Sequence, residues 1–310
     1  MQNLLRFLQR AAMTARIVVG GHIVNWPWLP AAERRRRRGE VTSRAVLRYL
    51  SRYIPVIESV ADADEQPQTQ EDDSQYVFTI WLQGEQQAPP IVRACLRSMR
   101  CHFGRRAVVL DATTLFDWIE LPAHVVDKWR SGKIRPAHFA DICRVELLYR
   151  YGGVWIDSTA FVTAPVPQQI MDREFFIYMA GEHLHGSYAF VQNCFFRARR
   201  GCHILRVWRR AILQYWMEEN SPADYFVHQL LFRLSVEHNA AAADIFARMP
   251  RMVQDPTHAL WPAYRNEPYD EELFRRVTAG AFFQKTEYRS LQKTPPLTGS
   301  FAEAMINMYR

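Results

Sequence analysis

The chain is 310 residues long, 48% hydrophobic and 13% aromatic, with a formal net charge of +7. That apolar content can bury a substantial core, and because no run of about eighteen apolar residues occurs, no membrane-spanning helix is expected. The five cysteines, Cys95, Cys101, Cys143, Cys194 and Cys202, are odd in number and match neither zinc-binding nor redox spacing, which points to unpaired, mostly buried thiols in a reducing cytoplasm.

Charge is unevenly spread. Residues 1–60 hold eleven Arg against Glu33, Glu40 and Glu58, a balance of +8. Ile17 to Pro30 is apolar but short, and Gly20, Gly21, Asn25 and Pro27 break it. The start lacks the compact apolar segment and small-residue cleavage site of a secretory signal, although a transit peptide would share its Arg-rich, acid-free run up to Glu33. After Arg34 to Arg38 a helix is expected over Ser43 to Ile54, with Arg44, Arg48 and Arg52 opposite Val46, Leu47, Leu50 and Ile54. Basic amphipathic helices lie on anionic membranes or dock on acidic partners; a solvated arginine face is the plain alternative. Five consecutive arginines would also draw the phosphates of nucleic acid, but no recognition motif accompanies them and no nucleic-acid partner is expected. Residues 61–75 carry six acids and no base among Gln, Pro and Thr, the composition of a solvated linker.

From residue 76 the pattern alternates: strand Tyr76 to Leu82, helix Pro90 to His102 and strand Ala107 to Leu110. This βαβ order predicts an α/β fold with a parallel sheet, and Asp111 is expected to cap the turn Thr113 to Trp118, its alternative being to line the crevice at the strand ends. His138 to Arg150 has apolar groups on nearly every side and should be a buried helix, so Asp141 and Arg144, three residues apart on one face, need partners. Gly152 and Gly153 stop that helix, and Val154-Trp155-Ile156 reads as a strand covered on both faces. Asp157 falls at its carboxyl end, where open α/β sheets bind ligands; its alternative role is to cap the following turn. Strands near Glu174 to Met179 and Ser187 to Arg197 precede helices over Cys202 to Met217, Tyr225 to Val236 and Ala240 to Met249, beyond which the pattern thins.

The stretch Asp127-Lys128-Trp129-Arg130-Ser131-Gly132-Lys133-Ile134, continued through His138-Phe139-Ala140-Asp141-Ile142-Cys143-Arg144 to Asp157, resembles the capsular polysaccharide synthesis proteins. These are relatives of the family-32 sugar transferases and, more distantly, of the glucosylating bacterial toxins. Ile80-Trp81-Leu82-Gln83-Gly84 is similar to that family's opening strand, and Asn193 to Arg200 and Tyr225 to His228 resemble later segments, so the likeness spans residues 76–240. It implies a GT-A type fold, a nucleotide-sugar-binding α/β sandwich with a mostly parallel central sheet. The domain organisation is then a basic helical extension (1–60), an acidic linker (61–75) and a transferase domain with a helical C-terminal part (76–310).

The resemblance also implies roles. Trp81 would stack on the donor base with Gln83 nearby, its alternative being a core tryptophan. Asp141 and Arg144 would meet the donor's sugar and phosphates, or else form a structural ion pair. Asp157 matches the first acid of an Asp-x-Asp metal motif, but Thr159 stands where many relatives carry the second. One carboxylate and a hydroxyl neutralise a divalent ion less well than two carboxylates, so Mn²⁺ or Mg²⁺ is expected to be held mainly by the diphosphate, with Asp157 reaching it through water. Lys133 or Arg144 would assist the leaving group, and Lys293 would close over the diphosphate, although Gln292 replaces the histidine that relatives place before it. His228 and Asn193 would face the acceptor or be ordinary buried polar groups. No covalent nucleophile or catalytic base is assigned.

The leading reading is a metal-assisted, retaining transfer of sugar from a UDP-sugar to a surface or capsular glycan. The acceptor would be a glycan or lipid-linked molecule, and the protein would be cytoplasmic, attached at the inner face of the membrane through its basic N-terminus. The alternatives are a binding or scaffolding protein that kept the fold, and a transferase acting on protein side chains.

Overall fold

The computed structural model describes residues 2–24, 26–61, 75–181 and 186–309, so the expected acidic linker lies almost wholly outside the described residues. The first two helices, α1 (Gln2–Val24) and α2 (Ala31–Leu50), pack as a hairpin. α1 runs through Gly20 and Gly21, which the sequence offered as breaks. A Cβ on Gly20 would lie 2.5 Å from Val41 Cγ1, so the missing side chain lets the helices touch and offsets the roughly 1 kcal/mol that a helical glycine costs.

α2 begins well before Ser43 and takes in the five-arginine run. Arg36 reaches Glu33 at 2.8 Å and Glu40 at 2.6 Å, and Arg37 reaches Glu33 at 2.6 Å, pairs one turn apart that hold the like charges in a helix. It ends before Ile54 because Pro55 lacks a backbone donor and its ring collides one turn back; a 3₁₀ turn and then α3 (Ile54–Glu58) follow. Ala45, Val46, Tyr49, Leu50, Tyr53 and Ile57 are buried in the main core. The apolar side of this basic helix therefore meets protein and is not available to a membrane.

The central sheet is assembled from β1 (Val77–Ile80), then α4 (Pro90–Phe103), β2 (Ala107–Leu110), α5 (Ala123–Arg130), α6 (Pro136–Tyr151) and β3 (Gly153–Ile156). β1 pairs in parallel with both β2 and β3. After β4 (Ala160–Val162) and α7 (Gln168–Met171) come β5 (Phe175–Met179), α8 (Gly186–Ala189) and β6 (Val191–Ala198). The strand expected from Ser187 thus starts at Val191, behind a helical turn. β6 runs antiparallel to its neighbours β3 and β5, giving the order β2-β1-β3-β6-β5 with four of five strands pointing one way. The fold is mixed α/β with a mostly parallel central sheet.

α6 is buried on nearly all sides, including His138, Asp141, Arg144 and Glu146. Gly152 and Gly153 close it with φ of 69° and 94°, a region that favours glycine. Helices α9 (His203–Glu218), α10 (Val227–His238) and α11 (Ala240–Arg248) follow, then α12 (Leu260–Tyr264) and α13 (Glu271–Thr278). The chain next makes β7 (Phe283–Lys285), α14 (Arg289–Lys293) and α15 (Phe301–Asn307). β7, which no sequence pattern announced, pairs antiparallel with β4 in a second, two-stranded sheet.

The N-terminal hairpin is fastened to the end of α9. Glu219 is 6% exposed and takes Arg10 Nη1 at 3.0 Å and the Tyr49 hydroxyl. Lys128 Nζ meanwhile donates to the carbonyls of Met217 at 3.1 Å and Glu219 at 2.9 Å, where the helix leaves acceptors unsatisfied. Glu219→Gln, which weakens the shared acceptor, should lower unfolding free energy by about 1–3 kcal/mol in a urea titration, and a loss no larger than that of Arg10→Ala would remove Glu219 from this role.

Candidate functional site

The parallel strands β1 and β3 end at the same edge of the sheet, and the chain leaves that edge at Trp81 and Asp157. Over it lies an open cavity of about 400 Å³, lined by Trp81 and Gln83 from the turn after β1, by Asp141 and Arg144 from α6, and by Asn193 from the start of β6. The late segment 285–289 supplies Lys285, Tyr288 and Arg289. The volume is in the range of small-molecule sites, roughly 300–1,000 Å³.

The floor of this cavity is a chain of alternating charges. Asp141 Oδ1 faces Arg144 Nη2 at 3.1 Å, which faces Asp157 Oδ1 at 3.4 Å, and Asp157 Oδ2 accepts from Lys285 Nζ at 2.6 Å. Lys285 also donates to Thr159 Oγ1 at 2.6 Å. The remaining valences are filled: Asn193 Nδ2 donates to Asp141 Oδ1 at 2.9 Å, and Trp155 Nε1 to Asp157 Oδ1 at 2.9 Å. Arg144 donates to the carbonyl oxygen of Asn193, and its guanidinium carbon lies 4.8 Å from the centre of the Trp155 ring. Trp216 Nε1 donates to His228 Nε2 at 2.8 Å, which puts the ring proton on Nδ1, 3.2 Å from Asp141 Oδ2.

Asp157 does not spend its carboxylate on the following turn. Its backbone does that work, the carbonyl accepting from Ala160 N at 2.8 Å, while the side chain is kept for the two cations. Burial raises the Asp141 pKa, but the Arg144 guanidinium and the His228 N–H outweigh it and hold the carboxyl at about 2. Asp157 is likewise lowered, burial opposing and Lys285 and Arg144 prevailing. The same pairing raises Lys285 and Arg144 against the burial that disfavours their charge.

Trp81 stands edge-on to Tyr288, ring centres 5.3 Å apart at 85°, and its buried Nε1 has no hydrogen-bond partner among the described residues. A buried unsatisfied donor beside a cavity asks for an acceptor from a ligand. Gln83, exposed, lines the same rim. Lys133 and Lys293 are exposed and do not line the cavity: one lies in the turn after α5, the other at the end of α14. Asp111 caps its turn as expected, accepting from Thr113 N at 2.9 Å and Thr114 N at 2.8 Å.

The residues that the resemblance offers to Mn²⁺ or Mg²⁺ do not fit a directly held divalent ion. The Lys285 ammonium stands between Asp157 and Thr159, both Asp157 oxygens have partners, and among the described residues no three His, Cys, Asp or Glu side chains gather to hold a metal. Lys285, Tyr288 and Arg289 are the site residues that sequence reasoning missed. Lys285 ends β7, in register with Ala160, and Tyr288 and Arg289 follow where the chain enters α14.

Fold and site together define a mixed α/β protein with an open, charge-floored cavity at the carboxyl ends of its parallel strands. The chain belongs to the capsular polysaccharide synthesis protein family, whose profile matches residues 27–301. It is also similar to the O-glycosyltransferase PaGT of Phomopsis amygdali, 26% identical over 157 residues, which is 48% of this chain and 34% of that protein. The chain thus spans about a third of that relative's length. No solved structure matches.

The depressed carboxylates fix a pH dependence. A carboxyl whose folded pKa lies below its unfolded value contributes stability that is complete above the unfolded value, 3.8 for Asp141, and is lost as pH falls through about 2. Between about pH 5 and pH 2 the wild type should therefore lose on the order of 2 kcal/mol more than Asp141→Asn in parallel denaturant titrations. Superimposable pH curves for the two proteins would show that the ion chain contributes no such linkage.

Proposed function

We propose that this protein is a glycosyltransferase of GT-A type that moves a sugar from a nucleotide-sugar, a UDP-sugar by the family resemblance, to a hydroxyl of a surface or capsular glycan. The observation that carries the reading is a half-buried ammonium, Lys285, fixed by Asp157 and Thr159 in the same cavity as an aromatic pair, Trp81 and Tyr288, with an unsatisfied N–H. Aromatic faces suit a nucleobase, and fixed cations suit a diphosphate.

In the reaction the bond from the anomeric carbon to the diphosphate oxygen breaks, the acceptor oxygen bonds to that carbon, and the acceptor proton is released. The nucleoside diphosphate departs with the electron pair. Negative charge develops on the leaving oxygen, so the protein's contribution is positive charge already aimed there. Lys285 supplies it from the floor and Arg289 from the exposed rim. Arg144, each of whose nitrogens already has a protein partner, acts as a strut that holds Asp157, and Asp157 in turn holds Lys285. Asn193 and His228 fix the far end of the same chain through Asp141. No step passes through a metal ion. The anomeric configuration is retained if the family resemblance holds for this chain.

One observation favours a binding protein instead: every charged group on the cavity floor is already satisfied by protein. A panel of nucleotide sugars separates the two. Turnover of one donor, persisting in EDTA, is expected; Lys285→Ala should cut kcat roughly 10²–10³-fold, the scale of losing one preorganised charge donor. Trp81→Ala should raise KM about tenfold with a smaller change in kcat, the scale of one stacked base. Turnover abolished by EDTA and restored by Mn²⁺ would return the charge role to a metal, and absence of binding by every donor would leave the scaffolding reading.

A further inference from the structure

α1 is amphipathic in the reverse sense. At 100° per residue, Arg6, Arg10, Met13, Ile17 and Gly20 share one side, and that side faces the protein. Arg6 Nη1 donates to the Glu218 carbonyl at 2.9 Å, Arg10 pairs with Glu219 at 3.0 Å, Met13 is buried, and Gly20 abuts Val41. The opposite side carries Leu4, Phe7, Leu8, Val18, Val19 and Ile23, each between 53% and 69% exposed. This outward stripe runs about 30 Å, at the 1.5 Å rise of an α-helix, and scattered surface hydrophobics do not line up in this way.

The stripe ends at Trp26 and Trp28, 48% and 73% exposed, with ring centres 5.1 Å apart. Arg34 ties that turn to the arginine run by donating to the Pro27 carbonyl at 3.3 Å, and Arg35, Arg36 and Arg38 are exposed beside it. No Asp or Glu precedes Glu33. The family match begins at residue 27, so α1 lies outside the part shared with the family profile.

We propose that the outward face of α1 and the Trp26–Trp28 turn bind the surface of an anionic lipid bilayer, the helix lying in the interfacial plane and the exposed arginines of α2 over the headgroups. Three observations choose this occupant. With Arg6, Arg10 and Arg16 in α1, no described helix is long and apolar enough to cross a membrane, so the helix lies on it. A two-fold pairing of this face with a second copy would bring two arginine-rich hairpins of net positive charge together, whereas an anionic surface attracts them. Paired exposed tryptophans beside arginines suit the headgroup level, apolar on one side and wet on the other. The membrane contact expected of the helix over Ser43 to Ile54 passes to α1, because the apolar side of α2 is buried.

The test is co-sedimentation of the full chain with vesicles of phosphatidylcholine alone and of phosphatidylcholine containing a quarter phosphatidylglycerol, with sedimentation equilibrium of the lipid-free protein beside it. The expected result is binding to the anionic vesicles, weakened at least about tenfold by Leu8→Glu with Val19→Glu. Arg35→Ala should weaken it about fivefold, an effect that fades at high salt. Quenching of tryptophan fluorescence by brominated lipid should fall when Trp26 and Trp28 are both changed to Phe. An unchanged thermal midpoint shows that these exposed substitutions leave the fold intact, and the arginine and tryptophan variants keep the test open if the glutamates do not. Failure of the wild type to sediment with anionic vesicles overturns the proposal, as does binding indifferent to all these changes. A dimer that Leu8→Glu and Val19→Glu dissociate, without vesicle binding, would assign the face to self-association.

Discussion

The arrangement on which the rest of the molecule depends is the alternation Asp141, Arg144, Asp157, Lys285, in which the first two are buried and the last two half-buried at the cavity. Taking charges out of water is costly, several kcal/mol for each fully buried ion even after relaxation, and mutual attraction offsets that only when the remaining hydrogen bonds are made. The partners around the chain can be read as that requirement. Asn193 and His228 complete Asp141, Trp155 completes Asp157, the Asn193 carbonyl and the Trp155 face complete Arg144, and Thr159 completes Lys285. These groups come from α6, β3, β6, α10 and β7, so the ion chain is also what sets the relative placement of those elements at the crevice. A partly buried ion chain is a weak source of stability compared with an apolar core of equal volume, and its place at the mouth of a cavity argues that it is retained for geometry and charge.

The burial of α6 follows from the same constraint. A helix that carries two members of the chain must lie against the carboxyl ends of the strands, and it can do so only if its other sides are apolar enough to be covered. Phe139, Ile142, Val145, Leu147 and Leu148 meet that condition. The cover on its outer side is α9, whose end is held by Lys128 and by Glu219 with its partners from the N-terminal hairpin. The hairpin is therefore continuous with the main core through α2, while α1 keeps its polar residues inward to reach Glu218 and Glu219 and leaves its apolar side out.

What the sequence disclosed was whatever is encoded locally. Asp141, Arg144 and Asp157 lie on a helix, a glycine stop and a strand that follow one another directly, so their convergence needs no long-range contact. Trp81 was legible for a similar reason, directly after a short buried strand in βαβ order. Lys285 was not: β7 has three residues, too few to show a period, and pairs with a strand more than a hundred residues earlier. Lys133 and Lys293 were offered by position in a resembling segment, but each lies in an exposed turn or helix end, facts set by tertiary packing. The breaks read at Gly20 and Gly21 failed because a modest local propensity cost was outweighed by a helix contact invisible in the sequence.

Thr159 and Lys285 are then two halves of one compensation. A site with carboxylates at 157 and 159 would carry two negative charges facing the cavity and would call for a divalent cation. With Thr159, the exposed demand is one charge, and one ammonium meets it: Asp141 and Asp157 balance Arg144 and Lys285, and the floor is neutral before any ligand arrives. A threonine hydroxyl also accepts from the ammonium at 2.6 Å, fixing it where a second carboxylate would otherwise have stood. The exchange has a consequence for chemistry. Under the transfer proposed above, an ammonium would bring half the charge of a divalent ion to a departing diphosphate, so a site built this way would need a second cation that is not committed to the floor. The arginine at the exposed rim, Arg289, four residues beyond Lys285 and on the same cavity, is placed to be that cation.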